Sequence, residues 1–215
     1  MLERSKTAGV QSMIITGTSL AESKQALEMA PRYGASGSES SSVIPAQLPR
    51  SGLYATVGCH PTSTSEIAKR ANVEDYFNDL ESVIQAEANK GQESRAVAIG
   101  EIGLGKGFFL EPNHGLTRGS DYDRLHYSDV ATQKAYFPRL LKLSDTYSLP
   151  LFLHSRHPDA HIDFVKTLKD AGWEQGLEPV EGQADPNARL PRGRLGVVHS
   201  FTGTVDEMRE LVRII

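Results

Sequence analysis

Cysteine is almost missing from this sequence. Cys59 stands alone among 215 residues, so no disulfide can form within the chain and no thiolate zinc knuckle can be assembled from it. A reducing compartment fits that usage. Long apolar runs are also lacking: nothing approaches the roughly 18 apolar residues of a spanning helix, and the opening MLERSK has no apolar centre of a secretory signal. The expectation is a cytoplasmic or nuclear protein with no membrane association. Excess positive charge is absent too. With 23 Lys and Arg against 27 Asp and Glu, the net charge is -4, which argues against a broad basic face coating nucleic acid but permits a local cation in a cleft. Aromatics make up 7% of the chain, and no aromatic stacking surface for a purely nucleic-acid-binding module is evident.

What remains is the composition of an ordinary folded protein, 39% hydrophobic and 23% charged. The length fits a single domain, residues 1–215. Within it a short apolar run and a longer helical pattern alternate five times, the sequence form of parallel β/α architecture. The strands are expected at Ser12–Thr16, Leu53–Gly58, Ala96–Ile99, Leu149–Leu153 and Leu195–Val198. Ser19 and Glu22 form a capping box for the first helix, through Ala30. Val73, Tyr76, Phe77, Leu80, Val83 and Ile84 place one face of the second in the core. A third helix starts near Ser128, and Pro138 predicts a kink in it. A fourth begins near Pro158, carries Ile162, Phe164, Val165 and Leu168, and ends at Gly172. Thr204 and Glu207 cap a fifth. Three segments break the rhythm and read as surface insertions: near 35–50, 105–120 and 176–192.

Polar groups gather where the strands end: Cys59-His60-Pro61, Gly100-Glu101, His154-Ser155-Arg156 and His199-Ser200. In β/α barrels the carboxyl ends of the strands form the active-site rim, so residues distant in sequence converge there. Glu101, His154 and His199 together make a partial metal shell of one carboxylate and two imidazoles, suited to zinc, manganese or magnesium. A metal so placed lowers the pKa of water and stabilises charge on a phosphoryl or acyl oxygen, so hydrolysis is the natural chemistry. Each residue has an alternative: a lone His after a strand is commonly a hydrogen-bonded structural group, for His60 the alternative is a turn residue held by Pro61, and for Arg156 a rim salt bridge. The functional readings are proton transfer or substrate contact for His60 and phosphate orientation for Arg156. His157 and His161 look like solvated helix residues, and His114 and His126 fall in or near an insertion; none of these four is taken as a site residue.

The four motifs GCHP (Gly58–Pro61), GEIGL (Gly100–Leu104), LPLFLHSR (Leu149–Arg156) and VVHSFTGT (Val197–Thr204), in this order and spacing, resemble those of the TatD family of metal-dependent deoxyribonucleases. The resemblance covers nearly the whole chain outside the three insertions. It implies a TIM-type (β/α) barrel with a divalent-metal centre, holding two ions in a complete member, that hydrolyses DNA phosphodiesters, often as an exonuclease. Glu101, His154 and His199 match family metal ligands; Glu101, His60 and Arg156 are the expected catalytic residues. No organic cofactor or stable protein partner is expected, and DNA is the substrate.

Against that pattern the sequence departs in three places. Strand 1 with its His-x-His pair, and strands 7 and 8 with a ligand Asp, are not found, so open sheet edges and exposed apolar surface are expected. Removing 105–120 joins GEIGL to DYDR, which points to a retained intron or an imperfect gene model; with the segment present, Asp121 is displaced from the site. Alternatives to the nuclease are an inactive truncated member, or a related amidohydrolase-like enzyme acting on a C–N or another ester bond.

Overall fold

The structure, a computed structural model, describes residues 2–34, 52–105, 128–156, 158–173 and 195–215. The insertions near 35–50 and 176–192, the stretch 106–127 with Asp121, His114 and His126, and His157 lie outside the described residues.

Helix α1 (Leu2–Thr7) leads into β1 (Ser12–Ile15) and α2 (Leu20–Gly34). Strand β2 (Gly52–Val57) is followed by a 3-10 turn at Pro61–Ser63, α3 (Ser65–Ala68) and α4 (Val73–Ala88). Then come β3 (Ala96–Gly105), α5 (Val130–Tyr147), β4 (Leu151–Arg156), α6 (Pro158–Asp170), β5 (Gly196–His199) and α7 (Val205–Val212). All strands are parallel, in the order β1-β2-β3-β4-β5, and the sheet curls into a half-barrel. Neighbouring strands in sequence are neighbours in space because each crossover helix returns the chain to the same edge.

The expected alternation of strand and helix is observed, with informative shifts. The third strand runs on to Gly105 instead of stopping at Ile99, so it carries Glu101 within its length and takes in the first residue of the expected insertion. The fourth starts at Leu151, after Pro150, whose ring leaves no N–H to give the ladder. In α6 the buried face is Ala160, His161, Phe164, Val165 and Leu168, a 3.6-residue repeat; Ile162 is therefore turned outward, 73% exposed, and His161 inward. Both reverse the sequence expectation. His161 Nε2 lies 3.2 Å from Glu210 Oε2 on α7.

Packing follows the helical faces anticipated from spacing. Tyr76, Phe77, Leu80 and Ile84 of α4 are buried, as are Phe137, Leu140 and Leu141 of α5, and Phe137 stacks on Phe164 of α6 with ring centroids 5.3 Å apart. Full burial of each such side chain is worth about 1.5–3 kcal/mol. The Thr204 and Glu207 capping box at α7 is present in both directions. Among the described residues β1 and β5 are sheet edges, and large apolar side chains there are exposed: Ile14, Val197, Val205 and Val212.

Candidate metal centre

Three adjacent strands deliver three polar side chains to one point. The delivery of Glu101 depends on glycine. A β-carbon on Gly100 would lie 2.2 Å from the Phe152 carbonyl oxygen, and one on Gly103 would lie 2.0 Å from that of His154; both residues have positive φ, 151° and 146°. Only glycine lets β3 approach β4 so closely in that conformation. The β3–β4 pairing slips between Gly100 and Ile102, leaving Glu101 as the unpaired residue of a bulge. Its amide turns instead to donate to the Gly17 carbonyl, at 3.1 Å, just beyond β1.

His60 follows β2, its own amide donating to the Thr18 carbonyl at 2.8 Å, and its Nδ1 is engaged by Thr62 at the start of the 3-10 turn. His154 projects from β4 on the same face as Phe152, two residues earlier. His199 ends β5 with its ring stacked on Phe152, centroids 4.8 Å apart and planes 22° apart.

These groups converge on one carboxylate oxygen. Glu101 Oε1 is 2.7 Å from His154 Nδ1 and 3.4 Å from His60 Nε2, the two histidines are 3.2 Å apart, and His199 Nε2 also hydrogen-bonds Oε1. His60, Glu101 and His154 are buried, whereas the His199 side chain is 25% exposed. Burial tends to raise the Glu101 carboxyl, but the hydrogen bonds it accepts from His154 and His60 outweigh that and hold the group well below the usual carboxylate range. His154 is lowered, chiefly by burial, with Glu101 opposing and His60 and Arg156 reinforcing. A carboxylate that stays ionised beside an imidazole that stays neutral is the protonation pattern a metal ligand set needs.

The donor set fits a divalent ion. His60, Glu101 and His154 offer ligand atoms all within 4.8 Å of one another. An ion with tetrahedral bonds of about 2.0–2.1 Å holds its ligands roughly 3.3 Å apart, close to the separations observed, so a small opening between Glu101 and His154 suffices. Reasoning from strand ends grouped Glu101 and His154 with His199 and set His60 apart; the tightest trio contains His60, with His199 on the same carboxylate oxygen at the cluster's open side. Arg156, at the end of β4, lines the same open pocket of about 500 Å³ as the four cluster residues, together with Thr16, Thr18, Glu22 and Gln25. Sequence patterns give no weight to Thr62, Ser128 or Gln133, buried polar residues of which Thr62 bonds the His60 ring, Ser128 the Thr62 carbonyl and Gln133 the Ser128 carbonyl. The only signal was Thr62 lying two positions after the histidine.

Residues 1–214 match the family model described as TatD related DNase. The chain is 35% identical to a deoxyribonuclease Tat-D of Schizosaccharomyces pombe over 99% of its own length and 51% of the relative's. It is 32% identical to a 3'-5' ssDNA/RNA exonuclease TatD of Cronobacter sakazakii, over 98% of this chain and 55% of that one. Among solved structures, a hydrolase TatD family protein from Entamoeba histolytica superposes with a TM-score of 0.63 at 28% identity, covering 98% of this chain and 52% of the other. The chain spans about half the length of the curated relatives it matches. Four strand-end motifs converging on a buried Glu-His cluster, within a half-barrel that the family model matches almost from end to end, place this chain in the TatD family of DNases.

Proposed function

We propose that the cluster is the centre of a metal-dependent nuclease that hydrolyses DNA phosphodiester bonds, removing nucleotides from a strand end. The observation that carries this reading is the convergence of His60, Glu101 and His154 within 4.8 Å at the mouth of an open pocket, on a chain related to deoxyribonucleases and exonucleases. Glu101 and His154 hold the ion, with His60 and His199 flanking the same carboxylate oxygen. Magnesium, manganese or zinc suits this mixture of carboxylate and imidazole. When bound, the ion supplies the positive charge that makes water acidic near neutral pH and offsets the charge gathering on a phosphoryl group.

The chain's own residues do the rest. Glu101 stays ionised because the imidazoles around it favour the charged form. Arg156 presents a planar guanidinium to the pocket and orients the substrate phosphate through paired N–H donors. His60, at the same oxygen as the ligands, is placed to hold or pass a proton at Nε2. A second ion, as in the complete family member, requires ligands beyond this set. The single buried cysteine suits the cytoplasm or nucleus.

The test uses the purified chain with 5'-labelled single-stranded and duplex DNA, in magnesium, manganese or zinc and after chelation. Stepwise shortening that requires the ion and disappears in Glu101→Ala is expected. Shortening that is unchanged in Glu101→Ala overturns the assignment, and turnover of amide or other ester substrates in place of DNA moves the site to the related hydrolase chemistry.

A further inference from the structure

One acid of the pocket has no structural partner. Glu22 lies in the first turn of α2 and lines the same cavity as the cluster and Arg156. An acid in that turn suits the helix dipole wherever it points, so its surroundings carry the argument. At the start of α7 the Glu207 carboxylate accepts from the Thr204 amide. At α2 only the other half of that arrangement is made: the Glu22 amide donates to Ser19 Oγ at 3.2 Å. Among the described residues no hydrogen bond or ion pair holds the Glu22 carboxylate, which is left to whatever enters the cavity.

Its neighbours on the helix form a wall. Ala26 and Met29, four and seven positions on, also line the cavity, as does Ile15 of β1, and Met29 is 44% exposed. The lining is therefore divided by element. Glu22 and the apolar wall come from β1 and α2 at one edge of the sheet, whereas Glu101, His154 and Arg156 come from β3 and β4. A volume of about 500 Å³ is that of a small-molecule site, with room for one nucleotide. A phosphate meets Arg156 and the cluster on one side and an unpaired negative charge on the other. Like charges repel, so the α2 side suits an uncharged group that donates a hydrogen bond. A DNA strand offers two kinds, the N–H groups of its bases and the hydroxyl of a strand end. Thymine lacks the amino group that adenine and cytosine present, while every end without a phosphate carries the hydroxyl. Successive removal of nucleotides from mixed sequence favours the hydroxyl.

We propose that Glu22 is the residue that recognises a strand end. Its carboxylate accepts a hydrogen bond from the terminal sugar hydroxyl and repels the phosphate that stands there in a continuing or phosphorylated strand, while Ile15, Ala26 and Met29 cover the base. The proposal rests on the nuclease reading above.

The experiment compares two single-stranded DNAs of one mixed sequence with an internal fluorophore, ending in hydroxyls or in phosphates, with magnesium, manganese or zinc in turn. The wild-type chain is expected to shorten the hydroxyl-ended strand about 10–100-fold faster, the worth of one hydrogen bond to a charged group. Glu22→Ala is expected to lose that preference and Glu22→Lys to reverse it. Equal rates in the wild type overturn the proposal without any variant and leave the nuclease reading standing. A Glu22→Ala variant that slows both strands alike keeps the ratio, which makes the role of Glu22 structural and overturns the proposal too. Faster shortening of oligo-dC than of oligo-dT that disappears in Glu22→Ala assigns the carboxylate to the base and not to the strand end. If the wild type shortens neither strand with any of the three ions, the nuclease reading falls and this proposal with it.

Discussion

Strands β4 and β5 carry nearly the same words, LFLH and GVVH, each followed by a serine, yet their histidines live differently. His154 on β4 is 5% exposed, with β3 on one side and β5 on the other; the His199 side chain on β5 is 25% exposed, with β4 alone beside it among the described residues. The contrast extends along each element. Every residue of β3 but one is buried, while no residue of β5 is, and Val197 is 58% exposed. A parallel strand hides both faces only when it has neighbours on both edges and a helix over it. The motif thus supplies the ligand atom, and the neighbouring strands supply its fixation.

The sharpest test of that division is Glu101→Gln, which keeps shape and removes charge at the point where both histidines meet. It replaces a firm ionised ligand by a weak neutral one, so zinc affinity should fall by more than about 100-fold, beyond what loss of a mere orienting group costs. Calorimetric titration reads this directly. A smaller loss would mean that the histidines, including the one at the edge, hold the ion largely without the central strand.

Next in size is a pair of glycine variants. Gly103→Ala puts a β-carbon 2.0 Å from the His154 carbonyl in a conformation that L side chains rarely adopt, and should cost about 2 kcal/mol or more. Gly196→Ala on β5 meets the Ile215 side chain at 2.6 Å, a neighbour able to swing aside, and should cost less than about 1 kcal/mol. Thermal or urea unfolding measures both. Equal costs would show that the edge is as rigid as the centre.

The ease of reading the centre and the difficulty of reading the edge have the same cause. AVAI and LPLFL show in the sequence as apolar runs because central parallel strands are buried on both faces. The strand ends were legible too: Glu101, His154 and His199 were expected together and do meet at one oxygen. What escaped is what only three dimensions decide. Glu101 sits within a strand because a bulge absorbs it, and neither propensity nor period marks a bulge. His60 joins the tightest trio because its Nε2 lies 3.4 Å from Glu101 Oε1 and 3.2 Å from His154 Nδ1, and spacing along the chain cannot rank such distances. Ile162 and His161 exchanged their expected environments because adjacent helix positions differ by about 100°, so a small phase error reverses neighbours. Thr62, Ser128 and Gln133 carry no metal-binding chemistry of their own and become visible only as a connected network.

A more modest effect should separate the twin histidines. His154→Ala removes a buried donor that touches both Glu101 and His60, whereas His199→Ala removes a partly hydrated ring resting on Phe152. His199→Ala should weaken zinc binding about tenfold, roughly 1.4 kcal/mol, and His154→Ala should weaken it more. The reverse order would mean that motif chemistry outweighs burial, and that the trio containing His199 is the true ligand set.

The smallest expected effect lies at the outer surface of the same edge. Val212 on α7 is 66% exposed, while its neighbour Leu211, 5% exposed, faces the core. Val212→Lys buries no charge and opens no cavity, so unfolding free energy should change by no more than about 0.5 kcal/mol. The stem of the new lysine can lie along the apolar surface formed with Val205 and Met208 while its ammonium stays in water. The variant is informative because a null result is so firmly expected. A loss above about 1 kcal/mol, growing with protein concentration, would show that this face is covered by a second copy of the chain, because only association makes stability depend on concentration. The same loss without that dependence would show coverage from within the chain. In either event β5 would have the neighbour that its exposure denies it, and the difference between His154 and His199 would have to be attributed to something other than an open edge.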